Sequence, residues 1–450
     1  MTPREDETKN NAESNKSKDL AVLSTVQEFL ENNPRVQFIR FQWQDYSGVL
    51  RARVVTLQHA FAVIAGKRYV HVAPLAFNCL VDNSALPDIT ARGIHLLVAD
   101  WSSLRTRQHL DPLYASVMCS VVDQTPRKPG PNASFCPRRG LAEVVRKATE
   151  ALRVDFLVGF EVEFEIMKAT ANGEYVPCSV GLGNFAVSGL RDPSYVYVEE
   201  AVQTLLEAGV KIEAFQSEGR RGQYEIALGP LPPVQAVDQL VLVHDTIKHV
   251  FARQGLVATM SPRPVALRRQ STGQHTHISI SPPGKEELFL AGILRRLPQL
   301  CAFCLPYDIS YERIQPCFAG TVVAWGTENP WVPVRKIHAG HWELRCVDAT
   351  ANMYLALAAI LSAGMLGCFN EEALQWQDTS FDAQAIPSSG MPMPRTLQNA
   401  LALLEENSHE LESMMCTQVI THYLRVKKAE ASRFHEMGPQ DARNLLVDLF

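Results

Sequence analysis

The sequence predicts an α+β protein of two domains, and three observations carry that reading. Four separated segments alternate polar and apolar residues with the period of a β-strand. An apolar run from Met353 to Phe369 has the length and character of a buried helix. A Pro- and Arg-rich stretch at 124–140 separates a strand-rich first part from the remainder.

Composition bounds the function classes. The 450 residues carry 43 Lys+Arg against 48 Asp+Glu, a formal net charge of −5, and 46% are hydrophobic, as in a folded soluble chain with a sizeable core. The slight acidic excess is not that of a general nucleic-acid binder, so no nucleic-acid partner is expected. The Met353–Phe369 run falls short of the roughly 20 apolar residues a membrane span needs, so no membrane partner is expected either. The first 18 residues lack an apolar leader segment and read, with their neighbours, as a disordered tail over 1–20. Ten scattered cysteines without a disulfide framework fit free thiols and a cytoplasmic location. Cys301 and Cys304 have CxxC spacing, but they sit in an apolar helix-like run and read as buried thiols. The triplet Asn132-Ala-Ser134 matches a glycosylation sequon and carries no weight without secretion.

The elements follow in order. Residues 24–33 read as a short helix, and 35–55 as a hairpin turning at Asp45-Tyr46-Ser47-Gly48. The chain stays strand-rich to about Asp123, which gives a first domain over 21–125 and a second over 126–450. A polar, Pro-rich segment near 377–395 precedes LQNALALLEEN, which has helical periodicity. No internal repeat is visible.

The chemistry lies on the polar faces of the four alternating segments. In GFEVEFEIM, Glu161, Glu163 and Glu165 oppose Phe160, Val162, Phe164 and Ile166; in GQYEIAL, Glu225 opposes Tyr224 and Ile226. In QHTHISIS, His275, His277 and Ser279 share a face, and in HWELRCVD, His341, Glu343 and Arg345 do. A solvated sheet face usually mixes Lys, Thr, Ser and Glu; these faces are confined almost entirely to Glu, His and Arg. With Glu218 added, the carboxylates concentrate negative charge that must be protonated or neutralised by cations. Oxygen donors with one imidazole suit Mg²⁺ or Mn²⁺ better than zinc. A divalent metal beside arginines is equipment for phosphoryl transfer. Competing motifs are weak: there is no GxxxxGK[ST], the GxGxxA match at Gly181–Ala186 lacks its acidic partner and reads as a loop, and no GxSxG elbow occurs.

At these residues the sequence resembles the glutamine synthetase family. The resemblance runs from about residue 35 to 450 and rests on ordered motifs: ExEF at Glu161–Phe164, ExxxGQYE at Glu218–Glu225, TGQHTH at Thr272–His277, WGTEN at Trp325–Asn329, ELRxxDxxxNxYLALAA at Glu343–Ala359 and MPRTLQNALALLE at Met393–Glu405. Within the family, DYSGVLRARVV is most similar to the ligase-like part of fungal fluG-type proteins. Their preceding amidohydrolase-like domain is not expected here.

The resemblance implies a β-grasp first domain and a catalytic domain built on an antiparallel sheet flanked by helices, assembled as a homo-oligomeric ring. It implies ATP and two Mg²⁺ or Mn²⁺ sites, one held by Glu163, Glu218 and Glu225, the other by Glu161, His275 and Glu343. Arg313 and Arg345 match positions that grip the substrate carboxylate, Arg335 matches a phosphate-handling arginine, and His277 and Ser279 match residues near the nucleotide.

Departures from the pattern fall on recognition. A phosphate arginine is replaced by Pro330 and another by His341, which supplies part of the lost charge if protonated. Gln270-Ser271 stands for Asn-Gly, Ala319 for a flap glutamate, and the ammonium-binding DGSS is replaced near Val70-His71-Val72-Ala73. The implied activity is an ATP-dependent ligase joining a carboxylic acid to ammonia or an amine through an acyl phosphate, with a non-glutamate or specialised-metabolite substrate. The alternative is a catalytically impaired regulatory or scaffold relative.

Overall fold

The computed structural model describes residues 20–89, 92–124, 135–268, 270–316, 318–380, 390–415 and 419–450. The expected tail, the sequon, Cys317, Cys416 and the middles of the 124–140 and 377–395 segments lie outside these residues.

Helix α1 spans 20–32, four residues earlier at its start than the periodicity suggests. Strands β1 (Phe38–Gln44) and β2 (Leu50–Thr56) form the expected hairpin. Its turn is tied by Asp45 Oδ1, which accepts the N–H groups of Ser47 and Val49 at 3.0 Å each. Gly48 has φ +84°, and a Cβ there would meet the Thr350 carbonyl oxygen at 2.9 Å, so glycine is needed twice over. Helix α2 (Leu57–Ile64) and strands β3 (Val70–Val72), β4 (His95–Ala99), β5 (Arg105–Thr106) and β6 (Tyr114–Asp123) complete this part. The sheet order is β2-β1-β6-β4-β3, with β5 also on β6; β1 and β6 run parallel and the other pairs antiparallel.

After α3 (Pro137–Lys147), a second sheet is built from β7 (Asp155–Ala169), β8 (Tyr175–Pro177), β9 (Ile212–Ser217), β10 (Gln223–Leu228), β11 (Val257–Thr259), β12 (Thr276–Ser281), β13 (Trp325–Thr327), β14 (Val334–His338) and β15 (His341–Leu344). Its order is β13-β14-β15-β12-β7-β10-β9, antiparallel except for β13 with β14. Helices α4 (Tyr195–Glu207), α5 (Pro233–Ala252), α6 (Glu286–Cys304), α7 (Met353–Phe369), α8 (Leu397–Glu406), α9 (Ser408–Met415), α10 (Val419–Glu436) and α11 (Pro439–Leu449) accompany it. The α+β expectation with a helix-flanked antiparallel sheet is met.

Helix α7 is the predicted buried run. Asn352 caps it by accepting the Leu355 N–H, and all but its last residue are buried. Cys301 and Cys304 end α6 fully buried, as inert thiols do. No described helix is long and apolar enough to cross a membrane. One apolar cluster runs from Val26 through both sheets to Val426, so the two sheets share a core.

Candidate active site

Sheet register assembles the site. On β7 the apolar side chains of Phe160, Val162, Phe164 and Ile166 are buried, which turns Glu161 and Glu163 to the other face. Glu163 then lies directly opposite Glu225 of β10, and Glu161 opposite Ala227. Across the sheet, His277 of β12 pairs with Glu343 of β15, Glu343 pairs with Arg335 of β14, and Ser279 pairs with His341. Like charges facing each other across a ladder are destabilising, so the Glu163–Glu225 pair must share a proton or have a cation beside it.

The side chains converge. His275 Nδ1 lies 2.8 Å from Glu161 Oε2, 3.3 Å from Glu343 Oε1 and 3.7 Å from Glu163 Oε1. His277 Nε2 is 3.2 Å from Glu161 Oε1. Glu163 Oε2 accepts the Gly273 N–H at 2.8 Å. A Cβ on Gly273 would sit 2.6 Å from an Arg313 nitrogen and 2.9 Å from His275 Nε2, so only glycine lets the chain pass this close. Glu161, Glu225 and His275 offer ligand atoms all within 4.8 Å of one another, and so do Glu161, His277 and Glu343. These triads cut across the expected division of donors between two metals: Glu161 belongs to both, and His277 joins a carboxylate pair. Glu218 lines the same cleft. The donor set, five carboxylates with imidazoles, fits hard divalent cations.

Electrostatics agree with that fit. Burial, reinforced by Glu161, Glu163, Glu218 and Glu343, pushes the Glu225 carboxyl up to about 9. Burial and then Glu163 raise Glu218 as well. Glu161 goes the other way: burial opposes its ionisation, but the hydrogen bonds from His275 and His277 hold it well below the usual carboxylate range. Glu343 is fully buried yet lowered, because His275 and Arg345 outweigh the cost of burial.

The arginines arrive from three places. Arg313, 2% exposed, donates to the carbonyls of Val347 at 2.6 Å and Arg345 at 3.2 Å, leaving Nε unpaired. Arg345 bonds Glu343. Arg335 bonds Glu343 at 3.2 Å and also Glu328. Arg313 and Arg345 line a cleft of about 600 Å³ together with the glutamates, Gln270 and Ser271. His341 does not carry the charge its position invites. Burial, with His277 and His338 beside it, pushes it down to about 4, so it is neutral near pH 7. Its Nε2 lies 3.0 Å from His277 Nδ1 and its Nδ1 3.2 Å from His338 Nε2. Ser279 lies beside it in register and outside the glutamate cleft. Ala319 is fully buried.

Sequence reasoning missed several wall residues. Asn184 and Phe185 reach the cleft from the 181–186 loop, where both adopt left-handed φ (50° and 61°). Gln216 donates to Glu225 Oε1 at 2.9 Å, and Phe318 forms another wall. For His338 a signal existed, its spacing to His341 across a tight turn. Glu165, expected beside Glu161 and Glu163, is instead 1% exposed and bonded by Arg268 and Gln223.

Residues 134–444 match the family model of the glutamine synthetase catalytic domain. The chain belongs to the glutamine synthetase family. It is 31% identical over 445 residues to the protein fluG of Emericella nidulans, covering 96% of this chain and 51% of that longer protein, so the chain spans about half of this relative. It is 30% identical over 402 residues to a gamma-glutamylpolyamine synthetase of Streptomyces coelicolor, covering 80% and 82% of the two chains. The solved structure of ligand-free GmaS superimposes with a TM-score of 0.78 at 23% identity, over 91% of this chain and 96% of that one, and shows the same fold. The family expectation drawn from the ordered motifs is met.

Proposed function

We propose that this glutamine synthetase-type chain is an ATP-dependent ligase that joins a carboxylic acid to an amine. The observation that carries the reading is the convergence of Glu161, Glu163, Glu218, Glu225, His275 and Glu343 with Arg313 and Arg345, all but Glu343 lining one cleft and Glu343 touching His275 and Arg345. Those six residues would hold two Mg²⁺ or Mn²⁺ ions, whose charge on the phosphates favours transfer of the γ-phosphoryl group. Arg313 and Arg345 orient the acid. Its carboxylate oxygen attacks the γ-phosphorus and ADP leaves; the amine nitrogen then attacks the acyl-phosphate carbon, inorganic phosphate leaves, and the nitrogen sheds a proton. Arg335 of β14, with His277 and Ser279 of β12 on the far side of β15, would lie toward the nucleotide. Phe185, Phe318 and Gln216 in a cleft of about 600 Å³ support an amine larger than ammonia, as does the relative that joins polyamines. A ring of such subunits and a two-domain division at 125/126 belong to the same reading.

A second reading, a binding protein with impaired turnover, is favoured by Pro330 and the neutral His341. Incubating the protein with ATP, Mn²⁺ or Mg²⁺, hydroxylamine and a panel of carboxylic acids decides between them. Hydroxamate with stoichiometric ADP supports the ligase; bound ATP with no product from any acid supports the second reading.

A further inference from the structure

Three imidazoles stand in a row across β12, β15 and β14. His277 Nδ1 lies 3.0 Å from His341 Nε2, and His341 Nδ1 lies 3.2 Å from His338 Nε2. The turn at Ala339-Gly340 folds β14 back on β15, so that His338 and His341 pair across the ladder. Gly340 has φ +72°, which lets the turn be this tight.

The two ends of the row fix where its protons lie. Glu161 Oε1, 3.2 Å from His277 Nε2, belongs to an ionised carboxylate and only accepts, so that nitrogen carries the ring's proton. His277 Nδ1 is then an acceptor, and its 3.0 Å contact puts the next proton on His341 Nε2. At the far end His338 Nδ1 lies 3.0 Å from the Ala339 carbonyl oxygen, which also only accepts. A neutral imidazole has one N–H, and all three are now used. His341 Nδ1 and His338 Nε2 are left as two lone pairs facing each other at 3.2 Å, a contact that a cation would relieve.

Proteins prepare imidazoles for a metal in this way, one nitrogen free and the other hydrogen-bonded to fix tautomer and orientation. His338 donates to a backbone carbonyl, and His341 donates to His277, which donates to Glu161. The spacing fits as well: two nitrogens each about 2.0–2.1 Å from one tetrahedral zinc stand about 3.3 Å apart. Neither residue lines the glutamate cleft, and His338 is exposed, so an ion reaches the pair from solvent. Paired imidazole donors select zinc over Mg²⁺ or Mn²⁺.

We propose that His338 Nε2 and His341 Nδ1 bind one Zn²⁺ ion, with water completing its shell, at a site distinct from the glutamate cleft. The row reverses only if a cation takes His277 Nε2 as a ligand, because His341 Nδ1 then donates to His338 Nε2 and closes the gap. Mg²⁺ prefers oxygen and leaves the row as it is, so excess Mg²⁺ fills the cleft carboxylates without disturbing the pair.

Zinc K-edge X-ray absorption on the full chain, with excess Mg²⁺ and one equivalent of Zn²⁺, tests this. Two imidazoles at about 2.0–2.1 Å, with no sulfur, are expected. Carboxylate oxygens with a single imidazole would put the ion on His275, and sulfur would put it on thiols; either overturns the proposal. Competition against a zinc indicator at neutral pH gives the affinity. His338→Gln, a change at an exposed turn, is expected to weaken binding by more than the 10–100-fold that loss of an orienting partner costs. Glu225→Gln, a change in the cleft, is expected to leave it unaltered. Zinc affinity unchanged in His338→Gln overturns the proposal, as does no zinc uptake by the unaltered protein, which would mean that a proton fills the gap. Neither readout involves ATP or turnover, so failure here is separate from any failure of the ligase reading.

Discussion

Two of the buried charge groups among the described residues are built on opposite plans. Where the first hairpin meets α10, Lys427 Nζ lies 2.7 Å from Glu430 Oε2, both residues 1% exposed. The other oxygen of Glu430 accepts from Ser47 Oγ at 2.5 Å and the Val81 N–H at 2.7 Å. Asp45 is paired with Arg51 at 2.8 Å, and Lys427 lies 3.8 Å from the Tyr307 ring centroid. Two acids meet two bases, and the cluster closes on itself. In the cleft, by contrast, burial pushes Glu225 upward and the carboxylates of Glu161, Glu163, Glu218 and Glu343 all push it further. A closed network is a structural joint, because it asks for nothing from outside. An acidic cluster held open by sheet register is a receptor for positive charge.

Replacing one glutamate by glutamine in each cluster has the largest expected effect. Glu430→Gln leaves Lys427 buried without its adjacent anion and is expected to cost about 3–5 kcal/mol of stability, read as a fall in the denaturant midpoint. Glu163→Gln relieves like-charge crowding opposite Glu225, so its metal-free stability is expected to hold or rise. Its ligase activity, measured as hydroxamate formation, is expected to fall about 10²–10³-fold, the scale of losing one group that stabilises transition-state charge. A large stability loss in Glu163→Gln, or none in Glu430→Gln, would erase the distinction between the two clusters.

How much of this was legible in the sequence follows from which physics sets each position. Glu161, Glu163 and His277 could be placed on the catalytic face because strand periodicity alone decides which way they point. Glu165 follows the same periodicity, yet Arg268 and Gln223 draw it into a buried pair, a tertiary contact no period reveals. The hairpin was legible from Asp45 to Gly48 because turn chemistry is local. Phe185 was not, since its place in the cleft depends on a left-handed backbone at two successive residues without glycine. The sharing of Glu161 between two donor triads was hidden for a different reason: it depends on cross-strand register and rotamers, which motif order does not specify. The neutral state of His341 likewise comes from His277 and His338 beside it, and from burial.

Acid titration separates the clusters next. Burial pushes the Asp45 carboxyl up to about 6 despite Arg51. A raised folded-state pKa means the folded protein binds the proton more tightly than the unfolded chain does. The associated stability is fully present below the unfolded value near 3.8 and is lost as pH rises through about 6. The loss amounts to about 3 kcal/mol over that window. Asp45→Asn is expected to flatten this part of the stability-versus-pH curve relative to the unaltered protein. An unchanged slope would place the titrating group elsewhere.

The smallest effect expected is also the most selective. If the cleft is open toward cations and the hairpin joint is not, Mn²⁺ at a hundred times its dissociation constant should stabilise the folded chain by about 2.7 kcal/mol, seen as a rise in melting temperature that chelator reverses. Glu225→Gln removes a donor from the triad with Glu161 and His275, so the rise should shrink or vanish in that variant. Glu430→Gln starts from a lower melting temperature but keeps every cleft carboxylate, so its rise with Mn²⁺ should remain full. A metal-induced rise that survives Glu225→Gln would mean that the cation binds outside the register-built cluster, and the open plan would then need another explanation than metal.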